Sequence, residues 1–566
     1  MKKHFLKVGL LGLLIAGFIT HASWGQSDPT GKRRVTGTYA ITNATLFSAP
    51  GQAAVKGTVL IKDGVILGAG SGVQVPKDAK IIAGDSLFIY PGFIDAAGNM
   101  GVTRPKDPER PKDMVNSNPP DEIAGITPWR AVTDQYSPSA SNVDDWRKAG
   151  FTISQILPEG GMIPGKASIM VLGDNQSTNL IQLNTALAAN FRGSRGMYPA
   201  TAVGVMAKFR DVYQNSAYAL EHEKLFASTA GVSRPQTTPT EAGMAAVVQK
   251  QIPVIFDASN DLEIRRAISL QKELGFKLIL TGLEYYEPVI DLIKSSNVPV
   301  LIKLSIPDDK ALKAQKEEGV TEATKEQYAR VKEAYDKALK QASLLEKAGI
   351  PFAFSTIDAK ASDAHKALKT MVENGLSEKA ALAALTTNPA SILGISRIAG
   401  TLEKGKMANM VILTDSLFKE GAQVKHVVAD GYVFDYEIKK KTANGNGKSE
   451  NGAPTKIEGT WEYTSETPAG SNGGEIILKK EGSEYTGSIT YDDPSGSGKI
   501  SSPIKNVSVN GNKISFDFNV AADGMNLTVN ISGDVSGSSM EGTMSVAQFG
   551  SFPVKAKLAS PSLNNK

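Results

Sequence analysis

IPVIFDASNDLEIRRAISLQKELGFKLILTG, from Ile252 to Gly282, decides the fold. It opens on a short apolar run closed by Asp257, passes through an amphipathic stretch from Asn260 to Gly275, and ends on a second apolar run closed by Thr281. Apolar runs of about four to eight residues read as strands, and apolar positions three and four apart read as one face of a helix. A strand, a helix and a strand in that order predict parallel strands joined by a crossover helix. Strands that are apolar throughout fit a sheet covered on both faces.

The alternation extends both ways along the chain. Upstream lie "LFIYPGFID" and "FTISQILP"; downstream lie "YEPVIDLIKSSN", "VPVLIKLSI" and "PFAFSTID". Residues 85–399 are therefore predicted to form an α/β core, a (β/α)8 TIM-like barrel, which is the natural closure of such repeats. The stretch "TEATKEQYARVKEAYDKALKQASLLEKAG", Thr321 to Gly349, predicts one long amphipathic helix whose balanced Lys and Glu form a solvated face. Arg104 to Pro120, rich in Pro and charge, predicts a loop over the barrel mouth.

Short alternating strands bracket this core at residues 37–84 and 400–436. Asp63-Gly64, between "TVLI" and "VILGAG", is a hairpin turn signal. The glycines at 68, 70 and 72 read as a turn and not as a phosphate cradle, because Pro76 follows and no helix begins there. Residues 437–455, including "KKKTANGNGKSENGAPT", form a linker without apolar anchors. Residues 456–560 alternate apolar and polar positions at period two with frequent Gly turns, Asn510-Gly511 being the cleanest. They predict an all-β meander, a lipocalin-like barrel or sandwich. Trp461, Tyr463, Tyr485 and Tyr491 read either as its core or as an aromatic binding platform.

Composition excludes several classes. With 41% hydrophobic and 21% charged residues the 566-residue chain is globular. Its net charge of +4 without a dominant basic tract argues against a nucleic-acid partner. It has no cysteine, so disulfides, thiolate metal sites and a cysteine nucleophile are absent, and any metal would need His or carboxylate ligands. Residues 1–25 carry Lys2, Lys3 and Lys7 before the apolar run Val8 to Ile19, then Ser23 and Gly25 before Gln26. This is the pattern of a Sec signal peptide and predicts a periplasmic or secreted bacterial protein. The apolar run is shorter than the roughly twenty residues a membrane span needs, and no other run reaches that length.

Two blocks carry a family resemblance. "YPGFID", Tyr90 to Asp95, resembles the first-strand signature of the amidohydrolase superfamily, and "NGLSEKAALAALTTNPASILGISRIAGTLEKGKMANMVIL", Asn374 to Leu413, resembles its last helices and closing β segment. "ITPWRAVTDQYSP" with "GFTISQILPEGGMIPGKASIMVLGD" is similar to the imidazolonepropionase-like branch. The resemblance covers about residues 37 to 436. It implies a barrel with a composite β-sandwich built from both flanks, and hydrolysis by one or two divalent ions that activate a bound water.

The ligand positions that the resemblance implies depart from the family pattern. Where the first strand should carry two histidines, the chain reads Asp95-Ala96-Ala97-Gly98-Asn99. At the fifth strand Asp257 or Ser259 stands for a His, and at the sixth Thr281. No lysine lies between Lys166 and Lys208, where a bridging one belongs. The eighth strand keeps an acid in Asp358, offset so that Ser355 or Thr356 could take the ligand position. His4 and His21 leave with the signal peptide, while His222, His365 and His426 read as helix or flanking-strand residues. Asp95 reads as an anchor for its following loop, and Asn409 as a turn residue.

The leading expectation is an exported amidohydrolase-like pseudoenzyme, its zinc-like ancestral metal lost, that binds a small molecule at Asn99, Asp257, Thr281 and Asp358 or serves a metal-bearing paralogue as partner, in an oligomer or alone. One alternative is an active hydrolase of carbon–nitrogen bonds with Asp358 as general base, assisted by Asp257 and Asn99; an oxygen-only cation site from Asn99, Asp257 and Asp358 stays open beside it. The other alternative is carbohydrate or surface binding through the C-terminal β domain.

Overall fold

The computed structural model describes residues 33–34, 37–174, 179–309, 312, 322–438 and 457–559, the last span interrupted at 468–469, 482–483, 494–497, 511–512, 523–524 and 547–549. The expected signal peptide, the expected linker from 439 onward and Gly511 of the expected hairpin turn lie outside the described residues. The chain divides into two units, Met1–Lys441 and Thr442–Lys566. Among the described residues no helix is long and apolar enough to cross a membrane.

The first unit begins with β1 (Arg33–Arg34), β2 (Thr38–Leu46), β3 (Val55–Lys62), β4 (Val65–Gly70), β5 (Lys80–Ala83) and β6 (Phe88–Pro91). Asp63 and Gly64, at φ of 50° and 76°, turn β3 into β4 as their left-handed tolerance predicts. No helix follows Gly70, so the glycine cluster is a turn.

Eight strands form the next sheet: β7 (Phe93–Gly98), β8 (Phe151–Ile156), β9 (Gly165–Val171), β10 (Leu180–Asn190), β11 (Val254–Asp257), β12 (Leu278–Thr281), β13 (Val300–Lys303) and β14 (Phe352–Ser355). They lie in sequence order. β10 to β14 are mutually parallel, with helices on their crossovers, as the quoted stretch predicts. The helix Asp261–Leu274 buries Ile264, Ala267, Ile268 and Leu270 on one face. Asn260 caps its N-terminus by accepting from Glu263 N at 3.1 Å, and Gly275 at φ 75° ends it.

β9 departs from expectation: it runs antiparallel to both β8 and β10. The segments on either side of β9 are too short to hold a crossover helix, and short links force antiparallel pairing. The expected long helix is also two, Glu322–Leu339 and Gln341–Ala348. The break falls where Tyr286 donates its hydroxyl to the Gln341 carbonyl at 2.7 Å. The second helix buries Ala342, Ser343 and Leu345, while described side chains of the first lie largely in solvent.

After the eighth strand the chain returns to the first sheet with β15 (Met410–Leu413), β16 (Val424–Ala429) and β17 (Tyr432–Asp435). The order β1-β17-β16-β15-β6-β2-β3-β4, with β5 on β2, joins both flanks in one nine-stranded sheet. Where a sandwich was expected, one sheet encloses its own cluster, including Ile41, Val59, Ile89, Met410 and Val428. Arg147, buried on the helix Ser141–Lys148, ties this sheet to the eight-stranded one. Its guanidinium donates to the Leu172 and Gly173 carbonyls and lies 4.1 Å from the Phe434 ring. Asn409 is buried instead of sitting in an open turn, accepting from Asp430 N at 3.0 Å.

The second unit is an antiparallel meander of β18 (Gly459–Thr467), β19 (Gly470–Glu481), β20 (Glu484–Asp492), β21 (Lys499–Pro503), β22 (Lys505–Asn510), β23 (Lys513–Ala522), β24 (Met525–Ser536), β25 (Ser539–Val546) and β26 (Gly550–Leu558). β18 pairs with β26, and Ile504 alone separates β21 from β22 at the far ends of the ladder. Trp461, Tyr463 and Tyr491 are buried in its core with Phe516 and Phe518, and Tyr485 packs against them. Inward period-two alternation put them there. That overturns the reading of these rings as an exposed binding platform.

Candidate functional site

Alternation along the strands builds the site. Ala97, Ala188, Ile255, Ile279, Leu301 and Ala353 belong to one buried apolar layer inside the eight-stranded sheet. The residue two positions further along a strand faces the same side. Asn99, Asn190, Asp257, Thr281, Lys303 and Ser355 therefore stand over that layer, and all six line one cavity of about 250 Å³. Register sets Asn190 beside Asp257, Asp257 beside Thr281, and Lys303 beside Ser355. Arg104, Glu159, Arg192 and Asp358 add charge to the wall.

The predicted site residues Asn99, Asp257, Thr281 and Asp358 thus meet in one cavity, each with a different environment. The Asn99 amide donates to the Glu159 carboxylate. Asp257 is 35% exposed at its side chain and has Arg192 Nη2 at 3.5 Å. Burial raises its carboxyl above the ordinary range, Arg192 and Lys303 pull it back, and Glu263 and Asp358 push it up. Thr281 is 2% exposed and its Oγ1 has no partner among the described residues. Asp358, at φ 57°, is 63% exposed at its side chain and lies 3.5 Å from Lys303 Nζ.

Lys303 is the residue the ligand-position search passed over. Its Nζ donates to Glu284 at 2.7 Å and faces Asp358. Burial disfavours the ammonium, yet Glu284, Asp358 and Asp257 together raise its pKa. The sequence signal for it was available: "LAAN", "VIFD", "LILT", "VLIK" and "FAFS" each end an apolar run on a polar residue of the same parity. Asn190 carries that signal too, and it holds the adjoining loop through the Gly161 carbonyl and Arg192 N.

The other sequence candidates are bound to neighbours, Ser355 included although it lines the cavity. Ser259 is bound to Glu263 through N and Oγ. Ser355 Oγ donates to the Ala97 carbonyl at 2.7 Å. Thr356 belongs to Asp95, which is fully buried beneath the cavity. Asp95 Oδ1 accepts from Ala97 N at 3.2 Å and Thr356 N at 3.0 Å, and Oδ2 from Ser154 Oγ and Thr356 Oγ1, each at 2.7 Å. Desolvation raises its pKa to about 6 against those four hydrogen bonds. Asp95 stands within β7, where the sequence suggested an anchor for the following loop, and instead binds β7 to β8 and to the residue after β14. The histidines are apart from the cavity: His222 lies on the helix Ala202–Ser228, His365 Nε2 lies 2.8 Å from the Ala149 carbonyl, and His426 Nδ1 lies 2.7 Å from Asp435.

Gly282 sets the position of Asp257. Its φ is 75°, and a Cβ there would stand 1.9 Å from Asp257 Oδ1. Gly282→Ala is expected to lower stability by about 1–3 kcal/mol and to turn Asp257 away from Thr281. Urea unfolding measures the first effect and a crystal structure of the variant the second.

The Amidohydrolase family profile matches residues 171–434. An amidohydrolase from Thermotoga maritima MSB8 shares the fold at TM-score 0.57 and 22% identity, over 69% of this chain and 98% of that chain. Another amidohydrolase, at TM-score 0.42 and 17% identity, covers 71% of this chain and 100% of its own. A prolidase crystallised with N-methylphosphonate-L-proline, at TM-score 0.44 and 16% identity, covers the same shares. No curated protein matches the chain. The profile covers a little under half of the chain, so residues 171–434 are similar to the Amidohydrolase family and the Thermotoga structure shows the shared fold.

Proposed function

We propose that this chain is an exported amidohydrolase-fold protein that works without a metal centre, using its strand-tip cavity to bind a small polar molecule, alone or as partner of a metal-bearing paralogue. In this reading the eight-stranded sheet closes as a barrel. One observation carries it: the Lys303 ammonium lies at the strand tips between two carboxylates, 2.7 Å from Glu284 and 3.5 Å from Asp358.

The remaining donors support the same reading. Ala97 contributes only a methyl to the apolar layer. The Asn99 amide is committed to Glu159, Asp257 faces Arg192, and Asp95 is consumed by four hydrogen bonds. A divalent ion would have to displace the Lys303 ammonium from Glu284 and Asp358, and the amide and hydroxyl beside them replace no charge, so these residues do not fit one. Metal analysis of the full chain, purified without chelator, is expected to find well below one equivalent of zinc or manganese. One or two equivalents would contradict the reading.

A second reading rests on Asp257, whose carboxyl is raised by burial inside the cavity. A carboxylate so placed can take a proton from water, which suits a metal-free hydrolase of carbon–nitrogen bonds. Asp358 suits that role less, being largely exposed and paired with Lys303. Turnover of an amide panel, abolished in Asp257→Asn, would favour this reading over binding alone.

A further inference from the structure

We propose that the cavity receives an organic ammonium ion, its head held between the Asp257 carboxylate and the Thr281 hydroxyl. The inference rests on the metal-free reading above and names the class of ligand for that cavity.

The polar groups of the wall divide into those already satisfied and those still in need of a partner. Lys303, Glu284 and Asp358 answer one another. Asn99 and Glu159 do the same, and Asn190 holds the loop through Gly161 and Arg192. Ser355 is turned onto the Ala97 carbonyl. Arg104 pairs with Asp107, and Arg192 reaches only Asp257 among the described residues, which leaves Asp257 and Thr281, adjacent in register at the tips of β11 and β12.

Thr281 Oγ1 is buried without a partner among the described residues. Buried hydroxyls left in that condition are uncommon, and one lining a cavity points to a ligand atom. Asp257 is held against Gly282, and its one ion-pair partner among the described residues is Arg192, at 3.5 Å on a side chain 79% exposed. Such a contact is long and open to solvent, so an incoming cation displaces it readily.

The sign of the ligand follows from this pair. Thr281 alone would serve a donor or an acceptor. The carboxylate beside it repels an anion and favours an N–H donor carrying charge, and an ammonium brings three such donors. The body of the ligand would lie on the side chains of Leu157, Ile255 and Ile357. Among the described residues no aromatic ring lines the cavity, so stacking of a sugar or planar ring is not provided for by them. The cavity of about 250 Å³ has room for a short aliphatic amine.

Titration calorimetry on the full chain with n-butylammonium, n-butyrate and n-butanol tests the inference. Butylammonium is expected to bind with one-to-one stoichiometry, weakening as salt rises, while butyrate and butanol do not compete with it. Asp257→Asn is expected to weaken butylammonium by at least about tenfold and Thr281→Val by about three- to tenfold, each variant keeping the circular dichroism of the parent. Butyrate or butanol binding as tightly as the amine, an unchanged affinity in Asp257→Asn, or no binding of butylammonium at about 10 mM would overturn it. Metal content of the same preparation separates the two proposals: a metal-free protein that ignores the amine defeats this inference alone, whereas a metal-loaded one defeats the reading beneath it.

Discussion

Replacing Gly98 with alanine is expected to destabilise the first unit by about 3–5 kcal/mol, the largest effect of any single methyl near the site. The added Cβ would stand 2.0 Å from Asp95 Oδ2, 2.6 Å from Thr356 Oγ1 and 3.0 Å from Ser154 Oγ. These atoms have no room to withdraw, because Asp95, Ser154 and Thr356 are all buried and bonded to one another. Moving the carboxylate would leave two hydroxyls and two backbone N–H groups unsatisfied, each carrying a desolvation penalty of about 1–3 kcal/mol. Urea unfolding gives the overall loss. Hydrogen exchange at the amides of Ala97 and Thr356, both donors to Asp95 Oδ1, reports it locally. Unchanged exchange at both amides would mean that the network is not what holds these strands.

Asp95 also predicts a pH dependence opposite in sign to that of a salt-bridged carboxylate. Its pKa is about 6 in the fold, against an ordinary 3.8. The folded state therefore binds the proton more tightly than the unfolded chain. Stability from this group is fully present below about pH 4 and is lost as pH rises through 6. With 1.36 kcal/mol per pH unit, the loss amounts to about 3 kcal/mol across that window. Asp95→Asn is expected to remove this slope, since an amide does not titrate, while keeping an acceptor for part of the network. Denaturant unfolding of wild type and variant between pH 4 and 7 is the measurement. Parallel profiles would show that Asp95 ionises without cost in its burial site.

Different parts of the molecule were legible in the sequence for different reasons. The strand–helix–strand unit from Ile252 to Gly282 could be read because its signals are local: apolar runs, helical spacing, the Asn260 cap and the Gly275 stop. β9 could not be read in direction from its apolar content alone, since GKASIMV suits either orientation. The length of its links carried the information, and that required knowing which strands were neighbours. Asp95 was recognisable as an anchor, but Thr356, 261 residues away, was not recognisable as its partner. Contacts at that separation leave no mark on local composition.

The candidate site shows the same division. Asn99, Asp257, Thr281 and Asp358 stand at or near the ligand positions that the resemblance implies, and the structure brings them to one cavity. Lys303 was missed because the search followed the histidine and lysine positions of a metal site, and the seventh strand supplies none of those. Period-two parity, applied to each strand end without regard to metal chemistry, selects Asn190 and Lys303 along with Asp257, Thr281 and Ser355. In the second unit the same parity sent Trp461, Tyr463 and Tyr491 inward, away from any surface role.

The central claim is that the Lys303 ammonium stands where a divalent ion would otherwise be needed. Crystals of the full chain soaked in zinc and measured at the zinc absorption edge test it most directly. No anomalous peak is expected among Asn99, Asp257, Thr281, Lys303 and Asp358. Strong density for one or two ions there, with the Lys303 side chain swung out of the cavity, would contradict it.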